Sequence, residues 1–535
     1  MSEEYAIAID IGTSGIRAQT INLKTKKVTS TVITLKHPLP GANVVDHLHF
    51  ALEIGSKEAH ELLITAINKV INNLKTDKNK IKRVAVCGNP IQLSLFHNIE
   101  IRDLAYWGEN AIKEKNITPP SRKSTITTAE KIGLDLNQNT EIYIPPAIKH
   151  EIGADALAML YKSEILNKEG IYLITDFGTN AEMALVIDGE VYTCSAAAGP
   201  AIEGQMLEKG RLASPETICD LEIKNNGWQT KILNKELITI NGNTINPSNG
   251  KIKEKGKENI KAKGITGTGV IAAFSLGIDD KIIIDGKIKN NDKIYLQDDV
   301  YLSSEDMINI GKALGAFRAA HLTLAEIAEI DLDEIDAFYM AGASGFYVDP
   351  KKSLNVGQIP PSSTEIYQIG NTSLAMAKDI AIKPELLETL QEIADKMESN
   401  HIMLATSDIF EKIYSLELAI YEQGMPLWMY NQWLEKYGFQ QLPQKTQNPK
   451  IHKIFERDIP ELGDGLHTIE VGSKLEAKFD GCIKCMKCIN NCPENVIKFK
   501  EDAIILRTDL CAGLACQKCV LTCPEKVYNY NKFLK

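Results

Sequence analysis

Tyr5-Ala6-Ile7-Ala8-Ile9-Asp10-Ile11-Gly12-Thr13-Ser14-Gly15 is an apolar run that ends in an aspartate, two hydroxyl residues and two glycines. The run is long enough for a strand, and the small residues after it make a tight turn. A second strand-like run, 16–23, follows, then a Lys/Thr turn, then a third run, 28–35. The pattern is a β-meander whose first turn carries Asp10. It recurs further along the chain. Ile171-Tyr172-Leu173-Ile174-Thr175 leads into Asp176-Phe177-Gly178-Thr179-Asn180, a strand follows from Met183 to Ile187, and Asp188-Gly189 makes a hairpin turn before another strand from Glu190. A lone Asp-x-Gly-Thr reads as an ordinary turn. Two of them in matched strand–turn–strand settings, facing one another, form a phosphate clamp. Glycine lets backbone come close, and hydroxyls and amides bind phosphate oxygens. Asp10 and Asp176 would hold a hydrated Mg²⁺ or orient water, because Mg²⁺ keeps several waters and takes few carboxylates.

A third element belongs to the same plan. Asp336-Ala337-Phe338-Tyr339-Met340 reads as a buried strand and enters Ala341-Gly342-Ala343-Ser344-Gly345, small enough for a base or ribose to lie against backbone. Helical stripes accompany these strands. Ile54, Leu62, Leu63, Ala66, Ile67, Val70, Ile71 and Leu74 share one face. Ser303 or Ser304 caps a helix with Met307, Ile310, Leu314, Phe317, Leu324 and Ile327 on its apolar side. Helices also begin near Gly153-Ala154-Asp155 and Gly370-Asn371-Thr372. Together the three glycine-bearing motifs resemble the phosphate-1, phosphate-2 and adenosine motifs of the actin, Hsp70 and sugar-kinase superfamily. The resemblance implies an α/β, two-lobed ATPase core. It implies ATP contacts from Gly12, Thr13, Ser14, Gly15, Gly178, Thr179, Asn180, Gly342, Ala343, Ser344 and Gly345, with Asp10 and Asp176 catalytic. The adenosine motif has Ala341 where a first glycine is usual, and the two helices starting near Gly153 and Gly370 sit where connecting helices belong.

The other end of the chain carries different chemistry. Of 11 cysteines, eight lie between Cys482 and Cys523, as Cys482-x2-Cys485-x2-Cys488-x3-Cys492-Pro493 and Cys511-x4-Cys516-x2-Cys519-x3-Cys523-Pro524. Clustered thiols in a reducing compartment point to metal rather than disulfides. Paired zinc sites are one reading and iron–sulfur clusters the other, favoured by the duplication and the Cys-Pro endings. The runs resemble a two-cluster bacterial-type ferredoxin, in which the fourth cysteine of each run serves the other cluster. That resemblance implies one 4Fe–4S cluster on Cys482, Cys485, Cys488 and Cys523, and a second on Cys511, Cys516, Cys519 and Cys492. Four residues, Ala512-Gly513-Leu514-Ala515, stand where two are usual, an insertion small enough to be looped out. Cys87, Cys194 and Cys219 read as ordinary small core residues.

Composition narrows the function. The chain has 535 residues and a net charge of −10, which argues against nucleic-acid binding as its main task. No run approaches a membrane span, and the acidic start, Met1-Ser2-Glu3-Glu4, does not look like a signal peptide, so a cytoplasmic, membrane-free protein is expected. The expected division is a first lobe over 1–165, a second over 166–435, a linker over 436–472 and a small α+β ferredoxin-like domain over 473–535. Residues 225–263, rich in Lys, Asn and Gly, with a central Asn246-Pro247-Ser248-Asn249-Gly250 turn, read as a solvated insertion with room for a hairpin. His47 and His49, two residues apart, read as loop residues or as groups that touch a partner's cofactor.

An ATP-handling core joined to a ferredoxin suggests energetically assisted electron transfer. Over nearly its full length, including Gly88-Asn89, 176–182 and 198–204, the chain resembles the reductive activators of corrinoid proteins, in particular those of archaeal methylamine metabolism. The resemblance implies ATP-dependent reduction of inactive Co(II) to active Co(I) in methyltransferase corrinoid proteins, with electrons from a low-potential donor. Two other readings stay open on sequence alone: a small-molecule kinase fused to an electron carrier, and a non-catalytic iron–sulfur docking protein regulated by ATP.

Overall fold

The computed structural model describes residues 3–41, 43–106, 109–148, 152–178, 180–196, 207–258, 260–289, 291–397, 399–454, 466–513 and 516–533. Two compact units emerge. The first takes in Met1–Leu157, Ser373–Lys396 and Gly465–Lys535, the second Ala158–Thr372 and Met397–Asp464.

The first unit is built on a seven-stranded sheet. Its centre is β1 (Tyr5–Ile11), antiparallel to β2 (Ile16–Asn22), which is antiparallel to β3 (Val28–Thr34). On the other side of β1 runs β4 (Ile81–Gly88) in parallel, followed in the sheet by β6 (Glu141–Ile144) and, at the edge, β5 (Thr125–Thr128). Every residue of β1 after Tyr5 is buried, as a central strand covered on both faces requires. The helices Val44–Ile54 and Ser56–Asn73 pack against one another. The stripe that the sequence carries from Ile54 to Leu74 is thus split at Gly55, whose φ of +129° no side-chain-bearing residue adopts comfortably. The far edge of the sheet is closed by Leu466–Ile469, parallel to β3.

That edge strand leads into the cysteine-rich tail. A three-stranded sheet, Lys474–Ala477, Ala503–Arg507 and Ile497–Lys500, supports two single-turn helices, Lys487–Asn490 and Lys518–Leu521. Each helix carries the third cysteine of its run and ends just before the Cys-Pro. The tail is tied to the rest of the unit largely through backbone groups. Gly41 N–H donates to the Cys511 carbonyl at 3.0 Å, Leu35 N–H to Ile469 O at 3.0 Å, and Lys69 Nζ to Val471 O at 3.3 Å.

The second unit repeats the plan. β7 (Ile171–Phe177), β8 (Ala181–Ile187) and β9 (Glu190–Ala196) form the antiparallel meander. Ala337–Ala341, Glu365–Gly370 and Lys450–Lys453 extend the sheet in parallel from β7, and Ser399–Ile402 runs parallel to β9. The hairpin turn between β8 and β9 has both Asp188 and Gly189 at positive φ, as a two-residue turn of this kind demands. The long helix Ser304–Ile327 starts at Ser303 in a full capping box with Asp306. The stretch 225–263 is more ordered than its composition suggests. With its neighbours it builds a five-stranded sheet, in which Trp228 is fully buried and donates from Nε1 to Asp280 at 2.7 Å. Burying one large aromatic and satisfying its N–H outweighs the polar character of the surrounding residues.

Candidate functional site

In the first unit Asp10 lies near the end of β1, pairing with Arg17 across to β2 and with Cys87 across to β4. The turn after it is held from several sides. Gly12 N–H donates to Gly15 O at 3.0 Å, and Ile16 N–H to Thr34 Oγ1 at 2.8 Å. A Cβ on Gly15 would lie 2.9 Å from Thr34 Oγ1 and 3.1 Å from its carbonyl, so glycine is required by the closeness of β3. Asn89 caps the helix Pro90–His97 through its carbonyl oxygen and donates from Nδ2 to Thr13 Oγ1 at 3.3 Å. One residue therefore fixes both a helix N-terminus and the hydroxyl of the candidate phosphate turn.

A second carboxylate stands beside this turn. Asp155, in the first turn of the helix Ala154–Ser163, accepts from the Ala156 amide at 2.9 Å. Burial pushes its carboxyl up to about 6; the Ala156 amide opposes the shift and the charge of Asp10 adds to it. The buried Cys87 thiol is pushed well up, first by burial and then by the same two carboxylates. The sequence alone places Asp155 on a helix without giving it a role. The sequence signal that could have found it is an acidic residue in a helix's first turn, two residues after Gly153.

In the second unit Asp176 lies near the end of β7, next to the strand Ala337–Ala341, with Ala341 opposite it in register. Gly342 follows at φ +80°, and a Cβ there would fall 2.2 Å from Asp176 Oδ1. The adenosine motif and the second aspartate turn are thus in contact, and Gly342 supplies the close approach. The short helix Gly342–Tyr347 has its carboxyl end satisfied by one side chain: Gln368 Nε2 donates to the carbonyls of Gly345, Phe346 and Val348 at 2.9, 3.2 and 3.0 Å. Behind Asp176, Phe177 packs on Phe317 and Phe338, and Thr175 Oγ1 pairs with His321 Nε2 at 3.0 Å. Burial holds His321 at about 3, so the ring is neutral. Gly178 and Asn180 are half-buried at the turn, Ser344 lies in the short helix, and Ala343 is placed there by its backbone. Thr179, and the stretch 198–204 noted above, lie outside the described residues.

The tail forms two cavities. One, of about 400 Å³, is lined by Cys482, Cys485, Cys488 and Cys523, with Phe479, Phe499, Met486 and other apolar neighbours. The other, of about 330 Å³, is lined by Cys492, Cys511, Cys516 and Cys519, with Tyr530 and Gln517. Each cavity therefore takes three thiols from one run and the pre-proline thiol of the other. Among the described residues, no three His, Cys, Asp or Glu side chains converge on a single-ion site. Four thiols lining one open volume suit a metal cluster better than a lone ion, because a cluster spreads its thiolates over several metal atoms. A buried polar atom also points to an occupant: among the described residues Tyr528 Oη has no hydrogen-bond partner. Tyr530 Oη lies 2.5 Å from Cys511 Sγ, and Gly513 N–H donates to the same sulfur at 3.3 Å. Of the inserted loop, Leu514 and Ala515 lie outside the described residues. The aromatic residues after the last Cys-Pro carry no motif that would single them out in the sequence.

His47 and His49 are on the helix Val44–Ile54, capped by Asn43, rather than in a loop. His47 is fully buried, stacks on His37 at 4.1 Å and pairs with Gln92 at 2.8 Å, so it does not reach a partner's cofactor; His49 is exposed. Cys87 and Cys194 are buried core thiols. Among the described residues no helix is long and apolar enough to cross a membrane.

Comparison with known proteins adds to this geometry. Residues 5–168 match the family model described as the RACo middle region, and residues 170–431 that of the C-terminal domain of RACo, the ASKHA domain. The chain is 43% identical over 500 residues to the Co(II) methylated amine-specific corrinoid protein reductase of Methanosarcina barkeri, covering 93% of this chain and 92% of that protein. It is 22% identical over 436 residues to the corrinoid activation enzyme RamQ of Eubacterium limosum, covering 77% of this chain and 70% of that one. A solved structure titled as a reductive activator for corrinoid, iron–sulfur protein superposes with a TM-score of 0.63 at 22% identity, over 78% of this chain and 66% of that one. At that identity the superposition speaks for the fold.

Proposed function

This chain belongs to the family of corrinoid-protein reductive activators, and on that premise we propose how it works. It is an oxidoreductase that returns corrinoid proteins to service: one electron converts inactive Co(II) to active Co(I), and one ATP-hydrolysing core drives the transfer. The methylamine branch is the partner class that the 43% identity favours. The electron comes from a low-potential donor, and a cytoplasmic setting keeps the eight tail thiols reduced for metal binding.

The observation that carries the reading is the sorting of those thiols into two rings of four, one around each cavity. Cys482, Cys485, Cys488 and Cys523 would hold one 4Fe–4S cluster; Cys492, Cys511, Cys516 and Cys519 would hold the other. When bound, such clusters supply one-electron transfer at low potential. Asp10 and Asp176 would hold Mg²⁺ through water or orient the attacking water, with Gly12, Thr13, Ser14, Gly15, Gly178, Thr179 and Asn180 on phosphate oxygens. Gly342, Ala343, Ser344 and Gly345 would lie along the nucleoside. Asp155 adds a carboxylate next to Asp10, able to accept a proton near neutral pH.

ATP assists the reduction only if it binds one conformation of the protein better than another. For one electron, each ~59 mV of uphill potential requires a tenfold bias. The test is anaerobic. Iron-loaded chain, reductant and a Co(II) methylamine corrinoid protein are mixed with and without Mg-ATP, and cobalt is followed by visible spectroscopy. Co(I) forms with ATP and not without it. Equal reduction without ATP, or a purified chain free of iron and sulfide, overturns the reading.

A further inference from the structure

The two cavities of the tail differ in what faces the sulfurs. Around Cys482, Cys485, Cys488 and Cys523 the lining is mostly apolar, with Phe479, Phe499, Ile483, Ile504, Met486 and Val527, broken by Lys484, Glu525 and Tyr528. Around Cys492, Cys511, Cys516 and Cys519 hydrogen-bond donors gather on one thiol. Cys511 Sγ faces both the Tyr530 hydroxyl at 2.5 Å and the Gly513 amide at 3.3 Å. The two rings that follow the last Cys-Pro stand between the cavities. Tyr528 lines the first cavity, and among the described residues its buried hydroxyl has no hydrogen-bond partner. Tyr530 lines the second. Both are locked in an aromatic cluster: Tyr528 stacks on Phe479 at 5.0 Å, and Phe533 closes on Tyr528 and Tyr530 at 5.8 and 6.1 Å. Side chains packed in this way have little freedom to turn their hydroxyls elsewhere.

The surroundings differ as well. The loop of the second cavity is pressed on the body of its unit, with Gly41 N–H on the Cys511 carbonyl and Pro40 against Gly513. The rim of the first carries Ile483 at 60% exposure and an exposed Cys485.

We propose that Tyr530 makes the cluster held by Cys492, Cys511, Cys516 and Cys519 the higher-potential site of the pair. The inference rests on the iron–sulfur reading of the tail. Reduction adds one electron to a cluster and moves no proton from these residues. The added negative charge is shared with the thiolate sulfurs, and an O–H or N–H directed at a sulfur stabilises the reduced state more than the oxidised one. These donors make the second site hold an electron more tightly, against the exposed rim and Lys484 of the first site, which act in the opposite sense. Tyr530 acts through Cys511 and is a positioning residue.

The test is an equilibrium redox titration of the iron-loaded full-length chain, followed by electron paramagnetic resonance. Wild type shows two midpoint potentials. Tyr530→Phe makes the higher-potential cluster about tenfold harder to reduce, a shift of ~59 mV for one electron, and leaves the lower one within about twofold. If Tyr530→Phe fails to retain iron, 3-fluorotyrosine in place of Tyr530 serves instead, since its more acidic phenol is the stronger donor and moves the higher potential upward. Both potentials unmoved with iron intact, or only the lower one moved, overturns the inference while leaving the iron–sulfur reading standing. A chain without iron overturns both.

Discussion

The two aspartate turns look alike in sequence and differ in what stands behind them. Asp10-Ile11-Gly12-Thr13 and Asp176-Phe177-Gly178-Thr179 each follow a central strand of a seven-stranded sheet, with the same meander beside it. Asp10 is backed by a second carboxylate, Asp155, and by the buried Cys87 thiol. Asp176 is backed by glycine: Gly342 presses on its carboxylate, and an aromatic layer of Phe177, Phe317 and Phe338 lies beneath. The preceding residues differ too. Ile9 is a plain core residue, whereas Thr175 is bonded to the buried His321. The same local turn thus sits in two environments, one suited to charge and proton handling and the other to close packing against the adenosine motif.

The largest expected effect comes from removing either carboxylate. Asp10→Asn and Asp176→Asn should each lower ATP-dependent cobalt reduction by about 10²-fold or more, measured as the initial rate of Co(I) formation. Only Asp10→Asn should also bring the Asp155 carboxyl down, read from the pH profile of the residual ATPase. Equal pH profiles in the two variants would erase the distinction drawn here.

Gly342→Ala comes next. Its Cβ would sit 2.2 Å from Asp176 Oδ1 at a φ of +80°, so the carboxylate must move. A displacement of about 1 Å costs on the order of 10²-fold in a positioned site, and the strained backbone costs about 1–3 kcal/mol of stability. Gly12→Ala meets only Gly15 O, at 3.1 Å, and should be milder in both assays. A milder Gly342→Ala would show that the contact with Asp176 does not matter.

Asp155→Asn should stabilise the protein at neutral and alkaline pH. The folded carboxyl titrates at about 6, above its unfolded value near ~3.9. Wild type therefore loses stability as pH rises between those two values, and the penalty persists above them. The variant should gain on the order of 3 kcal/mol at about pH 8 and nothing below about pH 4, measured by denaturant unfolding. A gain that is independent of pH would sink the assignment.

The smallest effect is that of Thr175→Val, which leaves His321 Nε2 without a partner and should cost about 1 kcal/mol. Ile9→Val, at the matching place in β1, should cost a similar amount, about 0.5–1.5 kcal/mol, by loss of packing alone. Adding His321→Phe to Thr175→Val removes the stranded nitrogen and should recover part of the loss in denaturant unfolding. No recovery would mean that the Thr175–His321 pair contributes shape rather than a hydrogen bond.

Much of this molecule was legible in its residues. Apolar runs and the two Asp-x-Gly-Thr turns announced both meanders, and a cap at Ser303 or Ser304 announced the start of the long helix. The spacing of eight cysteines, read against two-cluster ferredoxins, grouped the thiols as the cavities group them. Local chemistry suffices for such features, because a turn, a cap or a short metal-binding run is written within a few residues. Other features were not legible. His47 and His49 carry no sign that one is buried against His37 while the other is exposed, since that depends on how a helix is rolled against its surroundings. Residues 225–263 look solvated until Trp228 is given a sheet to sit in. What the chain's order of residues determined is the inventory of turns, caps and thiols. What folding alone decided is which groups, distant in the chain, share one low-dielectric space: Asp155 beside Asp10, Gly342 against Asp176, Tyr530 on Cys511. Interactions there are set by separation and burial, and neither quantity exists until the sheets are assembled.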